Sequence, residues 1–209
     1  MSRIAVLIVA AGKGARAGTE LPKQYERLGG RPMLRRTVEA FVAHFSNQKC
    51  PVQVVIGPGQ QDLAAAALAG LDIPAPVIGG ATRQESVRLG LEALAKDAPD
   101  FVLIHDAARP LISREVTGAV VAALESGADG ALPMLAASDT LRRQGADGHW
   151  TLVSRENLYR AQTPQGFVYA KIAKAHQDHA HEDVTDDMAL AELAGLKVQM
   201  VEGEEKNIK

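Results

Sequence analysis

Aromatic side chains are scarce in this 209-residue chain: Phe, Trp and Tyr together make up 4% of it. Hydrophobic residues still reach 46%, so the core has to be built from Ala, Val, Leu and Ile. That apolar share excludes a disordered or fibrous chain. Cysteine is almost absent. Cys50 stands alone, which excludes an intrachain disulfide and a four-thiolate zinc site. It reads as a small, half-buried apolar residue in a reducing compartment. Charge is balanced too: 23 Lys and Arg against 25 Asp and Glu leave −2. A face for nucleic acid or for a membrane surface wants a basic surplus, so neither partner is expected. A local basic pocket for a small anion remains compatible with the balance. No apolar run approaches the ~18 residues of a membrane span. Residues 4–11 after Arg3 have the look of a short signal-peptide core, but Gly12, Lys13, Gly14 and Arg16 follow at once. That is a strand running into a glycine loop, and a cytoplasmic protein is expected.

The length suits one α/β domain over 1–209. At this size a chain buries roughly 70% of its unfolded surface and needs no disulfide or metal staple. Residues 4–9 (IAVLIV) are a continuous apolar run, as a parallel strand covered on both faces requires. Pro32 suits a first helical position. Met33, Leu34, Val38, Phe41, Val42 and Phe45 follow at helical spacing. Val52–Ile56 predicts a strand, 60–71 an alanine-rich helix, and Val77–Ile78 a short strand before Gly79-Gly80. Val87, Leu89, Leu91 and Leu94 mark a helix, and 101–105 (FVLIH) another buried strand. Ser113 is a plausible N-cap for a helix over 114–126, with Glu115 in its first turn. A strand over 131–135 follows. Strand and helix alternate this far, the pattern of a doubly wound, mostly parallel sheet. Around 138–153 the rhythm breaks. A polar turn through Arg142, Arg143, Gln144, Gly145, Asp147 and Gly148 predicts a β-hairpin arm. Helices over 168–179 and 185–193 and a strand over 198–201 complete the chain.

The strongest local feature is Ala10-Ala11-Gly12-Lys13-Gly14-Ala15-Arg16. Without a Cβ, its glycines let backbone N–H groups approach a phosphate closely. Gly12-x-Gly14-x-x-Ala17 matches a dinucleotide fingerprint, and equally an ordinary strand-end turn. A nicotinamide or flavin site is disfavoured. Gly18, Thr19 and Pro22 interrupt the helix that would meet the pyrophosphate, and no acidic residue ends VQVVI. Lys13, Arg16 and Lys23 set cations around the loop, which suits a triphosphate and charge at a reacting phosphorus. A solvated surface role competes for Lys13.

His105-Asp106-Ala107-Ala108-Arg109-Pro110 falls at the carboxyl end of the FVLI strand, the edge where open α/β sheets bind ligands. Asp106 is a candidate Mg²⁺ ligand, shared with phosphate oxygens. Arg109 can fork onto a phosphate. A turn with an Asp–Arg ion pair is the plainer alternative. His176, His179 and His181 lie in a polar stretch and read as solvated helix-end residues, without the third ligand a zinc motif needs. Arg155, Gln162-Thr163-Pro164-Gln165 and Val184-Thr185-Asp186-Asp187 are polar clusters at element boundaries, read as turns or caps. Thr185 looks like an N-cap with Asp186 and Asp187 in the first turn.

Together, Ala10-Ala11-Gly12-x-Gly14-x-Arg16, Pro22-Lys23-Gln24-Tyr25, Gly79-Gly80 with Arg83 and Ser86, and the His105-to-Pro110 segment form an ordered set. Asp139-Thr140, Ala161-Gln162-Thr163-Pro164-Gln165, Thr185-Asp186 and Asn207-Ile208-Lys209 extend it over nearly the whole chain. The set resembles the 2-C-methyl-D-erythritol 4-phosphate cytidylyltransferase family. The resemblance implies a Rossmann-like nucleotidyltransferase fold. It implies transfer of CMP from CTP to the sugar-alcohol phosphate, with release of pyrophosphate, in non-mevalonate isoprenoid biosynthesis. By the family's motifs, Arg16 and Lys23 hold the triphosphate and stabilise the transition state, and Asp106 positions Mg²⁺. Ala10, Ala11, Gly12 and Gly14 lie against the nucleotide, and Gly80, Arg83 and Ser86 line its base and ribose pocket. Arg109, Thr140, Arg155, Thr163, Thr185 and Lys209 surround the phosphate of the sugar alcohol. The 138–153 arm resembles one that reaches across a homodimer, so a second subunit completes the pocket.

Two positions depart from the pattern. Val9 stands where proline is frequent, and Ala81 where an acidic residue, concerned with base recognition, often follows the Gly-Gly. Pentitol-phosphate enzymes, such as ribitol 5-phosphate cytidylyltransferases, share the loop, the Asp106 motif and Gln-Thr-Pro-Gln; Ala108 fits the methylerythritol branch better. A non-catalytic nucleotide-sensing domain would keep the glycine loop and lose Arg16, Lys23, Asp106 and Lys209. The chain stops at Lys209, where relatives usually continue into a final helix and, in some bacteria, into a fused cyclodiphosphate synthase domain. A truncated form or a fragment, such as the N-terminal domain of a bifunctional enzyme, is therefore expected.

Overall fold

The computed structural model describes residues 2–12, 21–182, 184 and 186–209. Its first half contains β1 (Ile4–Ala10), β2 (Arg27–Leu28), β3 (Arg31–Pro32), α1 (Met33–His44), β4 (Val52–Ile56), α2 (Gln61–Leu68), β5 (Val77–Ile78) and α3 (Arg83–Leu94). Then come β6 (Phe101–Asp106), α4 (Arg114–Glu125), β7 (Gly130–Ala136), β8 (Leu141–Gln144), β9 (Trp150–Val153), β10 (Tyr159–Ala161) and β11 (Gln165–Val168). The chain closes with α5 (Tyr169–Asp178), α6 (Asp187–Leu193) and β12 (Val198–Glu202).

The central sheet runs β5-β4-β1-β6-β11-β7, with β10 continuing along β7 beyond β11 and β12 pairing β7 as well. All pairs from β5 to β6 are parallel, as is β12 with β7. This is the doubly wound, mostly parallel sheet that the alternating pattern predicts. Its two faces explain the continuous apolar strands. In β1, Ile4, Val6 and Ile8 join the core under α1, α2 and α4, while Ala5 and Leu7 join the core under α3, α5 and α6. Each fully buried aliphatic side chain of this kind contributes about 1.5–3 kcal/mol. Ser113 caps α4 as expected, accepting from Val116 N at 3.2 Å.

Three expectations need correction. The Gln-Thr-Pro-Gln cluster is not only a turn. It leads through a cis Thr163–Pro164 bond into β11, a strand antiparallel to both β6 and β7. Polar Gln165 is buried there because its side chain has partners: it donates to Asp186 at 3.0 Å and accepts from Met188 N at 3.1 Å. Helix α6 is capped by Asp186, which accepts from Ala189 N at 3.0 Å, one residue beyond the expected Thr185, which lies outside the described residues. His176 is not solvated but buried, bonded to Asp187 at 3.1 Å, whereas His181 is exposed. Cys50 is half-buried as expected, and burial pushes its thiol up to about 12.

The arm is a separate two-stranded hairpin of β8 and β9, paired from Leu141↔Val153 to Gln144↔Trp150. Trp150 and Leu152 on it are 59% and 68% exposed. No helix among the described residues is long and apolar enough to cross a membrane.

Candidate active site

A cleft of about 630 Å³ opens at the carboxyl ends of β1, β4, β5 and β6. It is lined by Ala10, Ala11 and Gly12, by Gly57 and Gly79-Gly80, and by Arg83 and Ser86 of α3. Asp106 and Lys209 complete the lining. Glycines and alanines collect here because parallel strands end together, and only small residues leave the backbone accessible.

The start of the glycine loop is anchored by Gln24. Its amide donates to Ala10 O at 2.7 Å and to Gly12 O at 2.9 Å. Gln60 fixes the next loop, accepting from Gly57 N at 3.2 Å and from Tyr25 OH at 3.1 Å. Lys23 therefore sits on a short turn, Lys23–Tyr25, bolted to both loops, half-buried beside the cleft lining. Gly14, Arg16 and Thr185 lie outside the described residues.

Beside α3, Gly80 N donates to Ser86 Oγ at 3.2 Å, and Ser86 Oγ donates to Thr82 O at 2.8 Å. The Glu85 carboxylate lies across Gly80 and accepts from Ala81 N at 2.7 Å. A Cβ on residue 80 would stand 2.1 Å from that carboxyl group, so a side chain there would displace the flexible Glu85 from Ala81 N.

Asp106 is the electrostatic centre. Lys209 Nζ lies 2.9 Å from its Oδ2 and Arg109 Nε lies 3.6 Å away. Burial alone would raise its pKa, but Lys209 and Arg83 outweigh burial and hold the carboxyl below its usual range. Arg109 donates to Asn207 O at 2.8 Å, and Asn207 donates to Thr163 O at 2.8 Å. Gln162 grips Glu204 through both its backbone groups. These bonds hold the C-terminal segment so that Lys209 reaches Asp106. Behind Asp106, Thr163 Oγ1 accepts from Asp106 N at 3.2 Å and bonds His105 Nδ1 at 2.9 Å. His105 Nε2 bonds Arg109 O at 3.0 Å. One carbonyl partner and one hydroxyl partner suit a neutral ring donating from Nε2.

His105 makes stability pH dependent. Burial pushes its pKa down from 6.5 to about 4. The unfolded ring takes a proton first, so the stabilisation is intact above the unfolded pKa and is lost as pH falls toward the folded one. We expect a loss of about 2 kcal/mol between about pH 7.5 and pH 5 in urea unfolding. An NMR titration placing the His105 ring near 6.5 would overturn this.

A second cluster stands behind the cleft wall. Arg83 pairs with Asp187 at 2.7 Å, and Asp187 with His176. Sequence reasoning missed the last two, although Ile172, Ala175 and His176 share the buried stripe of α5. That spacing was the available signal. The structure thus gathers Ala10, Ala11, Gly12, Gly80, Arg83, Ser86, Asp106 and Lys209 in one cleft. Arg109 and Thr163 stand immediately behind Asp106. Thr140 and Arg155 are exposed at the base of the arm, outside the cleft lining, where Arg155 donates to Ser138 O.

The family model for IspD, 2-C-methyl-D-erythritol 4-phosphate cytidylyltransferase, matches residues 4–209. A bifunctional enzyme IspD/IspF of Paramagnetospirillum magneticum is 50% identical, over 100% of this chain and 54% of that protein. That of Bradyrhizobium diazoefficiens is 47% identical, over 99% and 52%. The chain spans about half the length of these curated relatives. Among solved structures, the 2-C-methyl-D-erythritol 4-phosphate cytidylyltransferase of Thermus thermophilus is 33% identical with a TM-score of 0.76, covering 99% of this chain and 92% of its own. The bifunctional IspDF of Campylobacter jejuni is 26% identical with a TM-score of 0.80, covering 100% of this chain and 52% of its own. With the sheet, the glycine-lined cleft and Asp106 at its edge, a match over nearly the full length leaves one conclusion: the chain belongs to the 2-C-methyl-D-erythritol 4-phosphate cytidylyltransferase family.

Proposed function

We propose that this chain transfers CMP from CTP to 2-C-methyl-D-erythritol 4-phosphate and releases pyrophosphate, a step of non-mevalonate isoprenoid biosynthesis. The observation that carries this reading is the convergence of Asp106, Lys209 and Arg83 on a cleft lined by glycine backbone. The nucleophile is a phosphate monoester with a second pKa of ~6, already largely dianionic at neutral pH. It needs no base. His105, the imidazole beside Asp106, offers none, since both its nitrogens are engaged. The task is to align two anions and neutralise their charge.

In this reading Arg16 and Lys23 hold the triphosphate and stabilise the charge that builds at the α-phosphorus. Ala10, Ala11, Gly12, Gly14, Gly80, Arg83 and Ser86 receive the nucleoside. Arg109, Thr140, Arg155, Thr163, Thr185 and Lys209 serve the sugar-alcohol phosphate, with Thr163 and Arg109 acting from behind Asp106. The donor set suits Mg²⁺. Asp106 is a single hard carboxylate at the cleft edge, and no cage of three ligating side chains exists among the described residues. Mg²⁺ typically takes one or two carboxylates and completes its shell with phosphate and water. Asp106 would hold the ion, which when bound neutralises phosphate charge.

The exposed Trp150 and Leu152 support a homodimer through the arm, with the partner completing the substrate pocket. A sedimentation mass of one protomer would overturn that part. A cytoplasmic location belongs to the same proposal, supported by a lone thiol that needs no oxidising compartment. The test is pyrophosphate release with CTP, Mg²⁺ and either methylerythritol 4-phosphate or ribitol 5-phosphate. We expect turnover with the first, abolished by a chelator. Turnover with ribitol 5-phosphate alone would sink the substrate assignment.

A further inference from the structure

Three helix ends meet behind the cleft wall: the first residue of α3 is Arg83, the first of α6 is Asp187, and the last turn of α5 carries His176. Asp187 and His176 are each 1% exposed, while Arg83 keeps 28% and lines the cleft. Arg83 Nη2 lies 2.7 Å from Asp187 Oδ2, and His176 Nε2 lies 3.1 Å from Asp187 Oδ1. The neighbouring carboxylate cannot substitute for Asp187. Asp186 is committed to capping α6 and to the Gln165 amide.

We propose that His176 is a positioning residue for nucleotide binding, acting through Asp187 to hold the Arg83 guanidinium at the cleft wall. This rests on the nucleotide reading above. A buried carboxylate is costly unless both its oxygens find partners. Arg83 faces Oδ2 as an ion pair without an aligned hydrogen bond among the described residues, so the bond from His176 to Oδ1 is the one that anchors the carboxylate. Burial alone would raise the Asp187 pKa, but Arg83 and His176 prevail and bring it down to about 2. Asp187 thus stays a full countercharge to Arg83. A residue kept only for packing would be apolar here. His176 instead leaves its Nδ1 buried and without a hydrogen-bond partner among the described residues, a desolvation cost that the bond from Nε2 offsets. The result is an arginine oriented before ligand arrives. Arginine is flexible, and leaving it loose moves the ordering cost to the binding step.

The test compares His176→Leu, which keeps the bulk and removes the donor, with His176→Gln, whose amide can still donate to Asp187. CTP binding by calorimetry with Mg²⁺ and steady-state kinetics are the readouts. Immobilising one such side chain corresponds to roughly 3- to 10-fold in Kd, so His176→Leu should weaken CTP binding and raise CTP KM by about that factor. Its kcat should change less than about 2-fold, and His176→Gln should stay within about 2-fold of the parent in CTP affinity. Unchanged CTP affinity in a folded His176→Leu protein would overturn the proposal, as would equal losses in Leu and Gln variants. If His176→Leu does not fold, His176→Asn replaces it, with the same amide too short to reach. Asn weaker than Gln then supports the proposal, and equality overturns it. A parent protein that binds no CTP overturns the functional reading and this one together. A parent that binds it normally, with no effect at His176, overturns only the positioning role.

Discussion

Lys23→Ala is expected to lower kcat by about 10²-fold or more at saturating CTP, with a smaller change in KM. The reason lies in how the lysine is held. Pro22 sets the entry to the Lys23–Tyr25 turn, and the turn is closed by Tyr25 N donating to Pro22 O at 2.8 Å. Gln24 and Tyr25 then tie it to the backbone of the glycine loop and, through Gln60, to Gly57. The turn held in this way roots the Lys23 side chain beside the cleft, where its ammonium can meet the negative charge that develops on the reacting phosphate. Among the described residues the Lys23 ammonium makes no ion pair, so its removal leaves no orphaned countercharge there. Stability should therefore change by no more than about 0.5 kcal/mol. Steady-state kinetics alongside thermal unfolding separate the two quantities. An unchanged kcat would refute the transition-state role.

Phe167→Ala is expected to cost about 3–5 kcal/mol of stability in urea unfolding. Phe167 is fully buried in β11, paired with Val102 of β6 and Gly130 of β7. Its ring fills the space that a side chain at Gly130 would occupy: a Cβ there would stand 2.7 Å from Phe167 Cδ1. Gly130 and Phe167 are one complementary unit, and alanine at 167 leaves a cavity beside a residue that cannot fill it. Domains of this kind have about 5–15 kcal/mol in all, so the loss is a large fraction of the total. A loss below about 1 kcal/mol would mean that the neighbours collapse into the space.

The elements that are legible in the sequence are those whose pattern is local. The run IAVLIV has to be covered on both faces, and β1 is. Ser113 three residues before Val116 is a cap by spacing, and the bond is there. The hairpin arm is legible from its polar turn between β-compatible flanks. β11 is not. Gln162, Thr163, Pro164 and Gln165 look like loop residues, because their burial is compensated by partners more than twenty residues away in sequence, such as Glu204, His105 and Asp186. The cap of α6 falls one residue from its expected place, within a run of capping candidates where only the bond from Ala189 N decides.

The same division runs through the site. Asp106 at the end of an apolar strand, and glycines where strands stop, can be read along the chain, because a parallel sheet brings its carboxyl ends to one edge. Local pattern is thus enough to specify an aliphatic parallel sheet, a glycine-lined edge and a carboxylate placed upon it. What surrounds them follows from long-range packing alone. It brought Lys209 from the far end of the chain onto Asp106, spent both nitrogens of His105 on Thr163 and Arg109, and buried His176 against Asp187 behind Arg83. Periodicity and spacing report which face a residue occupies. The partner that satisfies a buried charge comes from another element, and no local pattern records it.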